Sequence, residues 1–228
     1  MEDLIAQYQV GNYSLGRTVD LMFGGGRCHF LPRAAADSCR RDDLNVWALA
    51  QEMGYRVLST RTEFDRLDPA DPRAVPVLGA LAPSHLRYEI DRDPREEPSL
   101  AEMTAKALEI LDAQTRDSSE GFFMMVEGSK IDLAAHSNDA AAHVREIVAY
   151  WEAVEVVKRF VDAHPNTLVV SVSDHETGGL TIGRQLDPNR YPEYRWRPDV
   201  LAAVKNSTRA IAEYVTSYCG PSDAKYAF

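Results

Sequence analysis

Three observations predict an α/β fold, a three-layer α/β/α sandwich around a mostly parallel sheet. Residues 19–23, 122–126 and 168–172 are short, largely apolar runs with the length of buried strands. Helical patterns lie between them, and strands alternating with helices build a sheet covered on both faces. Carboxylates and imidazoles follow directly on the second and third runs, and open parallel sheets gather functional groups at the carboxyl edge of their strands.

Residues 2–9 read as an amphipathic helix with Leu4, Ile5 and Tyr8 on one side. The strand at 19–23 ends in Gly24-Gly-Gly26, which lacks the Gly-Lys-Ser/Thr of a phosphate loop and is expected to be a structural turn. Residues 42–53 form a helix with an acidic first turn, closed by Gly54, and 55–59 resume as a strand. Residues 75–81 are a further short strand, with Pro76 at its start or on an edge. Ser99 with Glu102 three residues later is a capping box opening the next helix. Within residues 140–163, Val144, Ile147, Val148, Trp151 and Val154 recur at helical spacing and predict a buried face. Pro198 opens a final helix, residues 199–217, and residues 220–228 read as an unstructured end. Nothing in the sequence marks a repeat or a dividing linker.

At 228 residues the chain is long enough to bury a core as one domain. Its net charge of −10 and the lack of a basic stripe argue against nucleic acid as a partner. No run approaches the roughly 20 apolar residues of a membrane helix, and the start has no signal-peptide layout. Cys28, Cys39 and Cys219 show no paired zinc spacing. Cys28 and Cys39 flank a short loop, where a bridge in an oxidising compartment and two buried thiols are both open readings.

Glu127-Gly-Ser-Lys-Ile-Asp132-Leu-Ala-Ala-His136 follows the run at 122–126. Asp132 and His136 are four apart, a spacing that puts both on one helix face. Ser173-Asp174-His175-Glu176-Thr177-Gly178-Gly179 follows the other run and offers a second carboxylate and imidazole. An Asp at a helix start is ordinarily an N-cap and a single His ordinarily a surface residue. Two such pairs at two strand ends point instead to metal: carboxylate with imidazole suits zinc, and a set richer in oxygen suits magnesium. His29, His85, His143 and His164 have no second ligand at helical distance and are read as structural.

These two stretches, residues 126–139 and 173–180, resemble the metal-binding signatures of alkaline phosphatases, especially the fungal vacuolar type, and similarity extends from Arg17 to Val200. Leu133 and Ala135 stand where a His and a Gly are frequent, neither of them a ligand position. The resemblance implies an alkaline-phosphatase-like sandwich, incomplete here, and hydrolysis of phosphate monoesters. It implies two zinc sites, one held by Asp132 and His136 and one by Asp174 and His175, with Glu127 at a neighbouring magnesium. It further implies a homodimer for the full-length family member and a vacuolar location.

The family's serine nucleophile lies in an Asp-Ser-Ala-rich motif that Asp37-Ser-Cys39 matches only superficially, so no catalytic residue is assigned in this chain. Residues 1–228 are therefore expected to be a partial domain without the nucleophile-bearing N-terminal part and the C-terminal end, weakly active or inactive alone. Two other readings are a non-catalytic metal-binding or interaction protein derived from a phosphatase, and another metal hydrolase of the same superfamily.

Overall fold

The computed structural model describes residues 1–179, 183–184, 187–194 and 197–218. The chain divides into two compact units, Met1–Leu86 with Asp93–Met125, and Arg87–Arg92 with Val126–Phe228.

The first unit is built on a parallel sheet. β1 (Leu21–Gly24), β2 (Arg56–Leu58) and β3 (Val77–Ala80) lie in the order β1-β3-β2, with Leu21 opposite Val77 and Arg56 also opposite Val77. Side chains alternate across a strand, and here the alternation divides the apolar residues between two cores. Phe23, Leu58 and Val77 pack with Phe64, Leu67, Met103 and Ile110 on one face. Met22, Val57 and Leu78 pack with Ala6, Val10, Phe30, Val46 and Ala50 on the other. The first core takes residues from α3 (Arg61–Asp65) and α4 (Leu100–Thr115), the second from α1 (Glu2–Gln9) and α2 (Val46–Glu52). This is the expected α/β/α layering, an open parallel sheet with helices on both sides.

Local chemistry sets the ends of these elements. Ser99 and Glu102 make the anticipated capping box, and Thr60 with Glu63 makes a second one at α3. The helix expected from residue 42 begins only at Val46, because Asp42 pairs with Arg40 and Asn45 caps by accepting from the Ala48 amide. Gly24 closes β1, and Gly25-Gly26 is the structural turn: a side chain at Gly25 would run into the Ser84 carbonyl, and the Gly26 amide donates to that same oxygen at 2.7 Å. Cys28 and Cys39 are joined by a disulfide. In α1 the buried residue is Ala6, while Leu4, Ile5 and Tyr8 are about half exposed.

Two expected strands differ. Residues 122–126 and 168–172 have no ladder partner among the described residues. Phe123, Met125, Leu168, Val170 and Val172 stand exposed. A strand is defined by its neighbour, so apolar content alone does not make one.

The second unit is helical: α5 (Ser129–His136), α6 (Ala140–Ala163), α7 (Pro198–Ala203) and α8 (Thr208–Ser217), with a short antiparallel pair, β4 (Gly183–Arg184) and β5 (Glu193–Tyr194). In α6 the predicted stripe is not the buried one. Val144, Ile147, Val148 and Trp151 are 41–59% exposed, and Ala141, Ala142, Glu146, Ala149 and Ala153 are buried instead. Alanines permit close approach, as where Ala142 packs with Ala134 of α5 and Tyr88. The single C-terminal helix expected at 199–217 is broken before Ser207, which caps α8 by accepting from the Ala210 amide. Asp91 accepts from the Ser207 amide, and Asp139 from the Thr208 amide and hydroxyl, so two carboxylates fix that break in place. Cys219, the segment 220–228, and Arg195 and Trp196 lie outside the described residues.

Candidate metal centre

The site lies in the second unit. Gly128 is the N-cap of α5, and the helix carries Asp132 in its first turn and His136 in its last. A Cβ on Gly128 would meet the Tyr150 ring at 2.9 Å, so the start of α5 lies tightly against α6. Lys130 lies over the Tyr88 ring at 3.9 Å, which occupies its charge as a cation–π pair. Leu133 packs beside Tyr88, Ala134 and Ala142, in agreement with a packing role for that position.

The second stretch meets the first at Asp132. Its Oδ1 lies 3.4 Å from His136 Nε2 and 3.6 Å from His175 Nε2. Asp174 Oδ2 lies 3.3 Å from His175 Nε2. The four residues Asp132, His136, Asp174 and His175, predicted from two separate stretches, are thus drawn into one neighbourhood. Glu127 is exposed just ahead of α5 and makes no ion pair with them among the described residues.

The contacts do not have the form of a hydrogen-bonded cluster. Asp132 Oδ1 is buried and has no hydrogen-bond partner, and the structure contains no other such side-chain atom among the described residues. His175 Nδ1 lies 2.6 Å from the Glu176 carbonyl oxygen. A carbonyl only accepts, so Nδ1 carries the proton and a neutral ring has its lone pair on Nε2, facing Asp132 and Asp174. Lone pairs facing carboxylates repel unless a cation or proton lies between them. The Glu176 carbonyl, and after it the Asp174 carboxylate, raise the His175 pKa above the ordinary imidazole value. A proton and a metal compete for the same lone pair. Separations of 3.3–3.6 Å exceed a good hydrogen bond. The 3.4 Å within Asp132/His136 and the 3.3 Å within Asp174/His175 are about the spacing of two neighbouring ligands on one tetrahedral ion with bonds of about 2 Å. The donor set therefore fits zinc: imidazole nitrogen with carboxylate oxygen around an orphaned buried oxygen.

Two residues that sequence reading passed over hold the arrangement. Tyr150 packs on Gly128, and its hydroxyl lies 2.7 Å from Ser171 Oγ, three residues before Asp174. One tyrosine in a long amphipathic helix carries no signal of its own; the glycine opposite it was the available hint. Asp139, the N-cap of α6, is buried and accepts from Ala142 as well as Thr208. The histidines read as structural are satisfied where their partners are resolved: His29 on Asp3, and His164 on the Phe160 carbonyl and ring. Ser38 donates to the Leu31 carbonyl and accepts from the Arg40 amide, a turn role with no chemistry attached.

Residues 3–224 match the family model described as alkaline phosphatase. An alkaline phosphatase of Schizosaccharomyces pombe is 46% identical over 220 residues, covering 96% of this chain and 40% of its own length. Among solved structures, Thermus thermophilus alkaline phosphatase is similar with a TM-score of 0.73 and 29% identity, over 98% of this chain and 43% of that one. A TAB5 alkaline phosphatase variant with magnesium bound is similar with a TM-score of 0.64 and 26% identity, over 86% of this chain and 51% of that one.

Proposed function

The chain belongs to the alkaline phosphatase family, and from that premise we propose that it contributes the metal-holding part of a hydrolase of phosphate monoesters. Asp132 and His136 hold one zinc, Asp174 and His175 hold a second, and Glu127 serves a magnesium. The observation that carries the reading is the buried, unpartnered Asp132 Oδ1 between two imidazoles. The magnesium in the TAB5 relative supports an oxygen-ligated third ion.

Bound divalent ions supply charge that polarises a phosphoryl group and lowers the pKa of a hydroxyl. The chain's own residues supply the ligands and their orientation. His175 keeps Nε2 free by donating Nδ1–H to Glu176, Asp132 offers both stretches an acceptor, and Tyr150 ties the approach to Asp174 against α6. No residue here is assigned as nucleophile or as a clamp for phosphoryl oxygens.

The chain spans 40% of the length of the S. pombe relative, and the phosphatase activity proposed is that of a whole family member. We further read that whole protein as vacuolar and homodimeric, on the same resemblance. A lumen is an oxidising setting, in keeping with the Cys28–Cys39 bridge. Among the described residues no helix is long and apolar enough to cross a membrane.

Elemental analysis of purified protein tests the proposal. Zinc content should fall in Asp132→Ala and in Asp174→Ala relative to the unaltered chain, and equal zinc in all three would defeat the ligand assignment. Zinc bound with no monoester turnover, even in a full-length family member carrying this segment, would favour the non-catalytic metal-binding reading.

A further inference from the structure

We propose that Asn138 is a positioning residue for this metal centre, clasping the loop that bears Asp174 and His175 by filling the space that Gly179 leaves open. The inference rests on the metal-centre reading and adds to it what sets the distance between the two ligand pairs.

Among the described residues Asn138 is the one non-glycine with positive φ, +51°. It ends α5, donating its amide to the Ala135 carbonyl at 2.9 Å, and the Asp139 amide donates to Ala134 at 3.0 Å. Glycine is the usual occupant of such a left-handed position after a helix, and asparagine is tolerated there. A purely conformational requirement would be met by glycine at less cost. The side chain at 138 has a place of its own: a Cβ on Gly179 would clash with the carboxamide oxygen and fall 3.0 Å from the carboxamide carbon. Gly179 has φ +82° and Gly178 +69°, so the loop leaves the ligand region through two successive left-handed residues.

Between Gly179 and His175 the loop is braced. The Gly178 amide donates to Glu176 Oε2 at 2.6 Å, and the Glu176 carbonyl accepts from His175 Nδ1 at 2.6 Å. A shift at Gly179 therefore reaches the His175 ring through Gly178 and Glu176. At its other end the segment is fastened by the Ser171–Tyr150 contact. Asn138 itself is two residues beyond His136 and adjacent to the buried cap Asp139. The clasp thus joins the end of the first ligand pair to the end of the second and sets the 3.6 Å between His175 Nε2 and Asp132 Oδ1.

The test uses the full 228-residue chain and zinc alone, with affinity read by competition against a chromophoric chelator. Asn138→Gly keeps the left-handed backbone and deletes the clasp. Gly179→Ala drives a methyl into the carboxamide. Each should weaken zinc binding by about 10-fold or more, the usual effect of losing a residue that orients a ligand. The Asn138→Gly chain stripped of metal should melt where the unaltered stripped chain does. In the double variant the space vacated at 138 should accept the methyl, so its affinity should exceed that of Gly179→Ala alone. An Asn138→Gly chain with unaltered affinity, or a double variant whose losses simply add, overturns the clasp. Asp132→Ala, measured beside them, separates the two ideas: if it too binds zinc normally, the ligand assignment fails. Amide exchange over residues 173–179 in the metal-free protein then judges the clasp by itself, with faster exchange in Asn138→Gly supporting it and unchanged exchange refuting it.

Discussion

Arg40 shows how much a single charged residue can organise in this chain. Its side chain is fully buried, and four of its five N–H donors have protein acceptors: Nη1 gives to the carbonyls of Asp3 and His29, Nε and Nη2 to the two oxygens of Asp42. A buried guanidinium is tolerated only when satisfied in this way. Arg40→Ala would take the guanidinium donors from the carbonyls of Asp3 and His29 and leave Asp42 with the Leu44 amide, at a cost of about 2–3 kcal/mol for hydrogen bonds to a charged group. A lowered urea midpoint at unchanged slope is the expected result, and an unmoved midpoint would show water replacing the guanidinium. Asp42 is held below its ordinary pKa of 3.8 chiefly by Arg40, and Asp3 chiefly by its hydrogen bond with His29. Carboxyls depressed in the folded state stabilise fully above pH 3.8 and lose that contribution as pH falls through their folded values. The acid limb of the stability curve should therefore lie below pH 3.8 and flatten for the Asp42 part in Arg40→Ala.

At the scale of elements, α6 is held to the short turn of helix at residues 89–91 by Glu146, whose Oε1 accepts from the Glu89 amide at 2.6 Å. Burial first, against the help of that hydrogen bond, raises the Glu146 pKa above 4.5. A carboxyl raised in the folded state contributes stability below the unfolded value that is lost as pH rises through the folded one. Glu146→Gln keeps the acceptor and removes the titration. Melting temperatures of the two proteins from pH 4.5 upward should diverge in the variant's favour, and parallel curves would refute a titrating Glu146. In the first unit, the Cys28–Cys39 bridge closes a loop of 11 residues' separation that carries Arg40 immediately beyond it. On the loop-closure estimate its reduction should cost about 3 kcal/mol, read as a drop in melting temperature with a thiol reductant. A Cys39→Ser chain should melt where the reduced protein does.

The whole molecule exposes what its elements cannot cover. Phe123 is 91% exposed and Leu168 88%, in two apolar runs that lack ladder partners among the described residues. Unpaired apolar backbone of this kind invites association with other chains, so the isolated chain should be poorly soluble without carriers. With no nucleophile or phosphate clamp assigned, the 228 residues supplied with zinc and magnesium should turn over a chromogenic monoester far below about 1 per second, the low end of ordinary enzymes. Missing transition-state donors of this sort cost on the order of 10²-fold each. Turnover at or above that rate would mean that the chain holds a nucleophile not recognised here.

The sequence by itself determined the family, the α/β class, the capping of α4 by Ser99 and Glu102, and the extent of α6, and it singled out Asp132/His136 and Asp174/His175 as the pairs proposed to hold metal. These are set by local spacing or by motifs that must stay contiguous to work, and both are visible along a chain. Only the tertiary structure decided which face of α6 is buried, whether residues 122–126 and 168–172 pair as strands, and where the last helix breaks. Each depends on a distant partner: Ala134 and Tyr88 select the alanine face, a ladder requires a neighbouring backbone, and Asp91 and Asp139 meet residues 207 and 208 from more than sixty positions away. The same reason hid Tyr150 and Asn138. Their roles lie in the glycines they face, Gly128 and Gly179, and the absence of a side chain acquires meaning only when another residue fills the space.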